Sequence, residues 1–209
     1  MSSYGSDPDH MGIDYFRAMY SVHDDPWGFD DRWYEQRKYA LTMAALPRRS
    51  YDRCFEPGCA NGALTELIAT RCNQVVAADF VASAVDRARH RLDGIEHVTV
   101  ACEQFPRWWP AGDGDLVIWS EIAYYLTDEG ASDAVNGLRR WLRPGGDLVA
   151  VHYLGATNYP RTGASIARWL DDQRFLDRLV EHREAEFELA VWRRRSERWS
   201  RAISGEARR

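Results

Sequence analysis

The sequence predicts an α/β domain built on a mostly parallel, seven-stranded sheet, with helices on both faces and an antiparallel strand pair at the C-terminal end. Three observations carry this. From residue 51 onward, short apolar runs alternate with segments of helical spacing. The runs are apolar at successive positions, as strands covered on both faces must be. The stretch "DRLVEHREAEFELAVWRRR" holds two extended halves with no helix between them. A chain of 209 residues with 45% apolar content can bury one such core.

In chain order, residues 1–12 are polar, and Tyr15–Tyr20 has the pattern of a short helix. "DDPWGFDD" reads as a turn punctuated by Pro26 and Gly28. "RWYEQRKYALTMAAL", residues 32–46, has helical spacing and stops before Pro47. "YDRCFE" is the first strand, "GALTELIATRC" a helix, "NQVVAADF" the second strand and "ASAVDRARHRL" a helix. "EHVTVAC" and "GDLVIWSE" are the third and fourth strands, and "EGASDAVNGLRRWL" is a helix. "RPGG" reads as a turn before the fifth strand, "DLVAVHYL". The chain divides into an N-terminal helical segment (1–48), the α/β domain (49–195) and a basic tail (196–209). "WRRRSERWSR" reads as a solvated tail in preference to a nucleic-acid patch.

A net charge of -5 gives no broad electrostatic case for nucleic acid or an anionic membrane. The N-terminus lacks the basic start and apolar run of a secretion signal, and no stretch is long and apolar enough to span a bilayer. Cys54, Cys59, Cys72 and Cys102 show neither C-x-x-C spacing nor a metal-ligand pattern, so no metal is expected. Free thiols in a reducing cytoplasm are the simplest reading.

"FEPGCANG", residues 55–62, closes the first strand and opens a helix. Gly58 and Gly62 allow backbone angles and close approaches that a side chain blocks. Ala60 stands where the dinucleotide fingerprint needs its second glycine, which disfavours a nicotinamide or flavin oxidoreductase. Glu56 before the turn is wrong for phosphate and right for something cationic. Asp79 ends the second strand, where a carboxylate can accept two ribose hydroxyl bonds. Glu103 and Gln104 follow the third strand, placed to bond an adenine amino group. Adenosine carrying a positive group fits this set, and S-adenosylmethionine is such a molecule.

These residues resemble the class I S-adenosylmethionine-dependent methyltransferases from about Arg53 to Leu154, a Rossmann-like methyltransferase fold. "DPWGF", "WYEQRKYAL", "EPGCANGALTE" and "SEIAYYL" extend the likeness, from about Asp25 to Tyr159, to the nodulation protein S family and similar actinobacterial sugar O-methyltransferases. The resemblance implies a small carbohydrate acceptor. It matches Glu56, Gly58 and Gly62 to the cofactor loop and Asp79 to the ribose acid, with Phe80 against the adenine face. It puts Ser120 and Glu121 beneath the sulfonium. Trp27, Tyr34, Arg37 and Lys38 fall in a segment that resembles a lid, where one of the two cations could hold the cofactor carboxylate.

Methyl transfer needs an aligned acceptor and no water. A sugar hydroxyl also needs a base, and His152, at the end of the fifth strand, is the candidate, with Glu121 beside it. Tyr124 and Tyr125 could wall the acceptor, and Asn158 and Tyr159 could touch it. The expected activity is O-methylation of a sugar hydroxyl, for example on a mannoside. The alternative is N-methylation of an amino sugar in a chitooligosaccharide-like acceptor. A catalytically silent binding protein is disfavoured by Glu121 and His152.

Overall fold

The computed structural model describes residues 13–23 and 25–196. Two helices come first, α1 (Ile13–Val22) and α2 (Trp33–Ala45). The sheet unit follows as β1 (Tyr51–Pro57), α3 (Ala63–Ala69), β2 (Cys72–Asp79), α4 (Ala82–Arg91), β3 (Val98–Cys102), β4 (Gly114–Ser120), α5 (Asp128–Trp141), β5 (Leu142–Tyr153), α6 (Gly163–Asp171), β6 (Leu176–Arg183) and β7 (Phe187–Arg194). The seven strands are ordered β3-β2-β1-β4-β5-β7-β6. β7 runs antiparallel to β5 and β6, and the remaining pairs are parallel. Most of the predicted basic tail lies outside the described residues. No described helix is long and apolar enough to cross a membrane.

The two faces of the sheet explain the unbroken apolar runs. Phe55, Val117, Trp119, Leu148 and Ala150 face α5 and α6, meeting Leu138, Trp141, Ile166 and Leu170. Their neighbours Cys54, Leu116, Ile118, Val149 and Val151 face the other way, toward Tyr39 of α2 and Leu64 and Ile68 of α3. Each fully buried side chain of this size contributes about 1.5–3 kcal/mol.

Two details differ from the sequence prediction. "RPGG" does not precede β5 but lies within it: Leu142 pairs with Gly114, the register then slips, and Asp147 pairs with Leu116. Gly145, at φ +82°, takes up the slip. The sequence reading also gave no helix after the fifth strand, where α6 lies. Its buried side is Ile166, Ala167 and Leu170, and it starts at Gly163, where a Cβ would stand 1.9 Å from the Tyr153 carbonyl oxygen. Only a bare backbone lets α6 dock that close to β5. Gly163→Ala should therefore lower stability by about 1–3 kcal/mol in urea unfolding. An unchanged midpoint would show that α6 does not pack on β5 in this way.

Candidate active site

β1 sits between β2 and β4, so the chain reverses its direction of travel across the sheet there. The carboxyl ends of β1 and β4 lie side by side, and open α/β sheets bind ligands in that crevice. The turn after β1 is tightly determined. The N–H groups of Gly58 and Cys59 both donate to the Ala78 carbonyl, at 2.6 and 3.0 Å. Gly58 has φ +72°, and a Cβ on it would lie 2.3 Å from Ile122, in the turn after β4. Glycine is thus required both for angle and for space. Ala60 also has positive φ, 49°, without being glycine. Its N–H is held by the Asp79 carboxylate at 3.1 Å, while the other oxygen of Asp79 accepts from the Val81 N–H at 2.9 Å. Asp79 therefore binds the first and second strand exits together, and burial raises its pKa.

Glu56 is almost wholly buried. Its carboxylate accepts from the Thr65 hydroxyl at 2.6 Å, and no cation among the described residues forms an ion pair with it. Burial pushes its pKa up to about 8. A carboxylate held this way gains most from a positive ligand.

α1 and the turn before α2 cover this end. Phe16 lies edge-on to Phe80 after β2 (5.4 Å between ring centres) and to Tyr125 after β4 (5.0 Å). Trp27 joins the same group through Phe16, Tyr20 and Phe29. Phe16 was not singled out from the sequence, although its i,i+4 relation to Tyr20 marks one face of α1. Asp30 accepts from the Asn61 side-chain amide at 3.3 Å and from Arg91, and Arg91 donates to the Asn61 carbonyl at 3.0 Å. The pre-α2 turn is thereby fastened to the glycine turn itself.

On the other side of the crevice stands Glu121, with φ 58°. Its carboxylate accepts from Lys38 (2.7 Å), from the Tyr124 hydroxyl (2.7 Å) and from the Tyr153 N–H (2.9 Å). Lys38 is 2% exposed and also lies 2.9 Å from Glu35. Burial disfavours the Lys38 charge, but Glu121 and Glu35 outweigh it and raise its pKa. Burial likewise works against the Glu121 charge, and Lys38, followed by His152, outweighs it and lowers the pKa. The cluster contains two carboxylates and one ammonium.

Several predicted roles change on this geometry. His152 is buried, and its Nε2 accepts from the Ala123 N–H at 3.0 Å. That bond occupies the lone pair a base would use. Burial also lowers its pKa to about 4. His152 is a structural acceptor that shapes the β4 exit, not a base facing an acceptor. Tyr124 does not wall an acceptor either: its ring is buried, stacked on Tyr159 at 4.9 Å, and its hydroxyl is committed to Glu121. Neither cation of α2 is free for a cofactor carboxylate. Arg37 points outward into a two-bond pair with Glu184 (2.6 Å each), and Lys38 serves Glu121 and Glu35.

The remaining residues fall around the crevice. Tyr34 leans on Phe187 (6.1 Å), with its hydroxyl buried and lacking a partner among the described residues. Ser120 ends β4 beside Val151. Glu103 and Gln104 are exposed just past β3, and the Glu103 N–H donates to the Asp79 carbonyl at 3.0 Å. Tyr125 and Tyr159 pack on each other at 4.6 Å, and Asn158 is exposed.

Comparison with known proteins identifies the family and the fold. The family model for Nodulation protein S (NodS) matches residues 14–153. The chain belongs to the nodulation protein S family. It is 34% identical over 128 residues to nodulation protein S of Rhizobium tropici, covering 60% of this chain and 54% of that one. The chain spans about half the length of the curated relatives it matches. The crystal structure of the N-methyltransferase NodS from Bradyrhizobium japonicum WM9 with S-adenosyl-L-homocysteine superimposes with a TM-score of 0.77 at 25% identity, covering 91% of this chain and all of that one. A Pseudomonas syringae structure assigned to the methyltransferases superimposes with a TM-score of 0.70 at 39% identity, over 78% of this chain and 100% of that one. The fold is the Rossmann-like methyltransferase fold.

Two outcomes follow from the cofactor side. Glycine relieves the backbone strain at residue 60, so Ala60→Gly should hold or raise stability, by up to about 1 kcal/mol. A loss above that in thermal unfolding would mean that the Ala60 methyl is itself packed. Glu56 carries a proton in the native state that the unfolded chain releases at lower pH. Stability should therefore fall as pH rises from 4.5 to about 8. Glu56→Gln should flatten that part of a melting-temperature profile, and an identical slope would contradict the burial of a protonated Glu56.

Proposed function

We propose that this chain is an S-adenosylmethionine-dependent methyltransferase that transfers the methyl group to the amino group of a small carbohydrate acceptor, an amino sugar of chitooligosaccharide type. The cofactor reading is supported by Glu56, a buried carboxylate without a cation, at the end of β1. It would hold the ammonium of the cofactor's amino acid moiety. Asp79 would accept from the ribose hydroxyls, and Phe80 with Phe16 would flank the adenine. Residues 1–48 would act as the lid, fastened through Asp30. Bound there, S-adenosylmethionine supplies an electrophilic methyl group and gives up its positive charge to the acceptor atom.

The observation that carries the choice of nitrogen is the Glu121 cluster. With both carboxylates ionised it has an excess of one negative charge around Lys38, and burial, which raises the Glu35 pKa, works against that charge. Methylation of a neutral amine moves a positive charge from sulfur to nitrogen. A pre-set negative cluster stabilises that charge where it arrives. A hydroxyl acceptor would instead need a proton receiver, and His152 is occupied. A glucosamine-type amine exists in good part as free base near neutral pH, so a positioned base is not needed. Exclusion of water is left to the aromatic group of Phe16, Trp27 and Tyr125.

A methyl-transfer assay over glucosamine, N-acetylglucosamine and mannose oligomers, read by mass spectrometry, tests this. Methyl incorporation should be confined to acceptors with a free amine. Incorporation into mannosides alone would overturn the nitrogen assignment in favour of the hydroxyl reading. Glu121→Gln should lower kcat about 10²-fold, by loss of the developing-charge interaction. Its affinity for S-adenosylhomocysteine should stay near that of the parent, because Glu56 and Asp79 are untouched.

A further inference from the structure

Strand parity at the end of β5 turns His152 inward and its neighbour outward. Tyr153 is 39% exposed at the carboxyl end of the strand. Its N–H donates to Glu121, so its backbone is fixed to the reactive cluster. Its ring lies against residue 155, where a Cβ would stand 2.2 Å from the ring and its hydroxyl. Gly155 thus leaves room for the hydroxyl end of the ring, which a side chain there would displace. The cross-strand partner of Tyr153 is Phe187, and Tyr34 of α2 rests edge-on against Phe187. The Tyr34 hydroxyl is shut off from solvent and has no hydrogen-bond partner among the described residues. A shielded hydroxyl of that kind is costly to leave unpaired.

We propose that Tyr153 and Tyr34 form the acceptor-docking subsite, in which a pyranose ring lies on the Tyr153 face and docking uncovers the Tyr34 hydroxyl to bond one of its polar substituents. The inference rests on the carbohydrate reading above. The two features suit a pyranose, which presents a C–H face to an aromatic ring and polar groups at its rim. The bond from the Tyr153 N–H to Glu121 ties the backbone of this docking point to the carboxylate cluster. Tyr124, Tyr125 and Tyr159 pack against one another, Tyr124 stacked on Tyr159 and edge-on to Tyr125, and Tyr125 tilted on Tyr159, so their faces are already engaged.

Calorimetric titration of the full chain, saturated with S-adenosylhomocysteine, with a glucosamine oligomer reads docking without turnover. Tyr153→Ala should weaken oligomer binding about tenfold, and Tyr153→Phe should bind nearly as the parent, because the ring is kept. Tyr34→Phe should weaken it about three- to tenfold. S-adenosylhomocysteine affinity should change less than twofold in all three, which also shows that they fold. Oligomer binding that is absent in the parent, or unchanged in Tyr153→Ala, overturns the subsite. If Tyr153→Ala loses binding while the parent methylates only hydroxyls, the subsite stands and the nitrogen assignment alone falls.

Discussion

The site depends first on the Glu121 carboxylate. Three groups donate to it, two of them from elements distant in sequence: α2 through Lys38, β5 through the Tyr153 N–H, and Tyr124 from the same turn after β4. The backbone of Glu121 takes a positive φ of 58°, a conformation that costs about 1–3 kcal/mol for a residue with a side chain. It persists because the bonds to its side chain over-determine it. Burial of Lys38 is tolerable for the same reason, since two carboxylates lie within 3 Å of its nitrogen. Remove Glu121 and Lys38 is left half paired, Tyr124 loses its acceptor, and α2 loses its bond to the carboxyl end of β4.

The cofactor side is built on the opposite plan. Glu121 is fully partnered within the chain, whereas Glu56 has one neutral partner and a pKa near 8. One side of the crevice is preorganised for charge that arrives during reaction. The other is left short of a cation that a ligand can bring. Asp79, whose two oxygens hold the turn residues Ala60 and Val81, fixes the distance between them. The Asp30–Asn61–Arg91 group adds the α1–α2 connection to the same turn, so covering the site and shaping it are mechanically joined.

The parallel sheet was legible because burial on both faces leaves a mark in every strand, and the cofactor turn because its glycines and carboxylates fall at strand ends. The acceptor side was harder to read, for reasons of parity. His152 and Tyr153 are adjacent, and sequence does not say which of them the twisted end of β5 turns outward. The same holds for Arg37 and Lys38, about 100° apart on one helix, of which the outer pairs with Glu184 and the inner with Glu121. A buried lysine is rarely expected, and it is legible only once both its carboxylates are known to converge. Tyr124 looked like an exposed wall because its hydroxyl partner, Glu121, is just three residues away on a turn whose conformation is unusual. α6 was missed because Asn158, Pro160 and Gly163 mark a turn, while its apolar face is only three residues wide.

The central claim is that the carboxylate cluster, and not His152, faces the reacting atom. The pH dependence of kcat/KM with a glucosamine oligomer tests it most directly. The account predicts one rising limb at the free acceptor amine's own pKa, present to the same extent in the parent and in His152→Asn. A limb set by a histidine in the parent and lost in that variant would contradict it, and would return His152 to the role of general base.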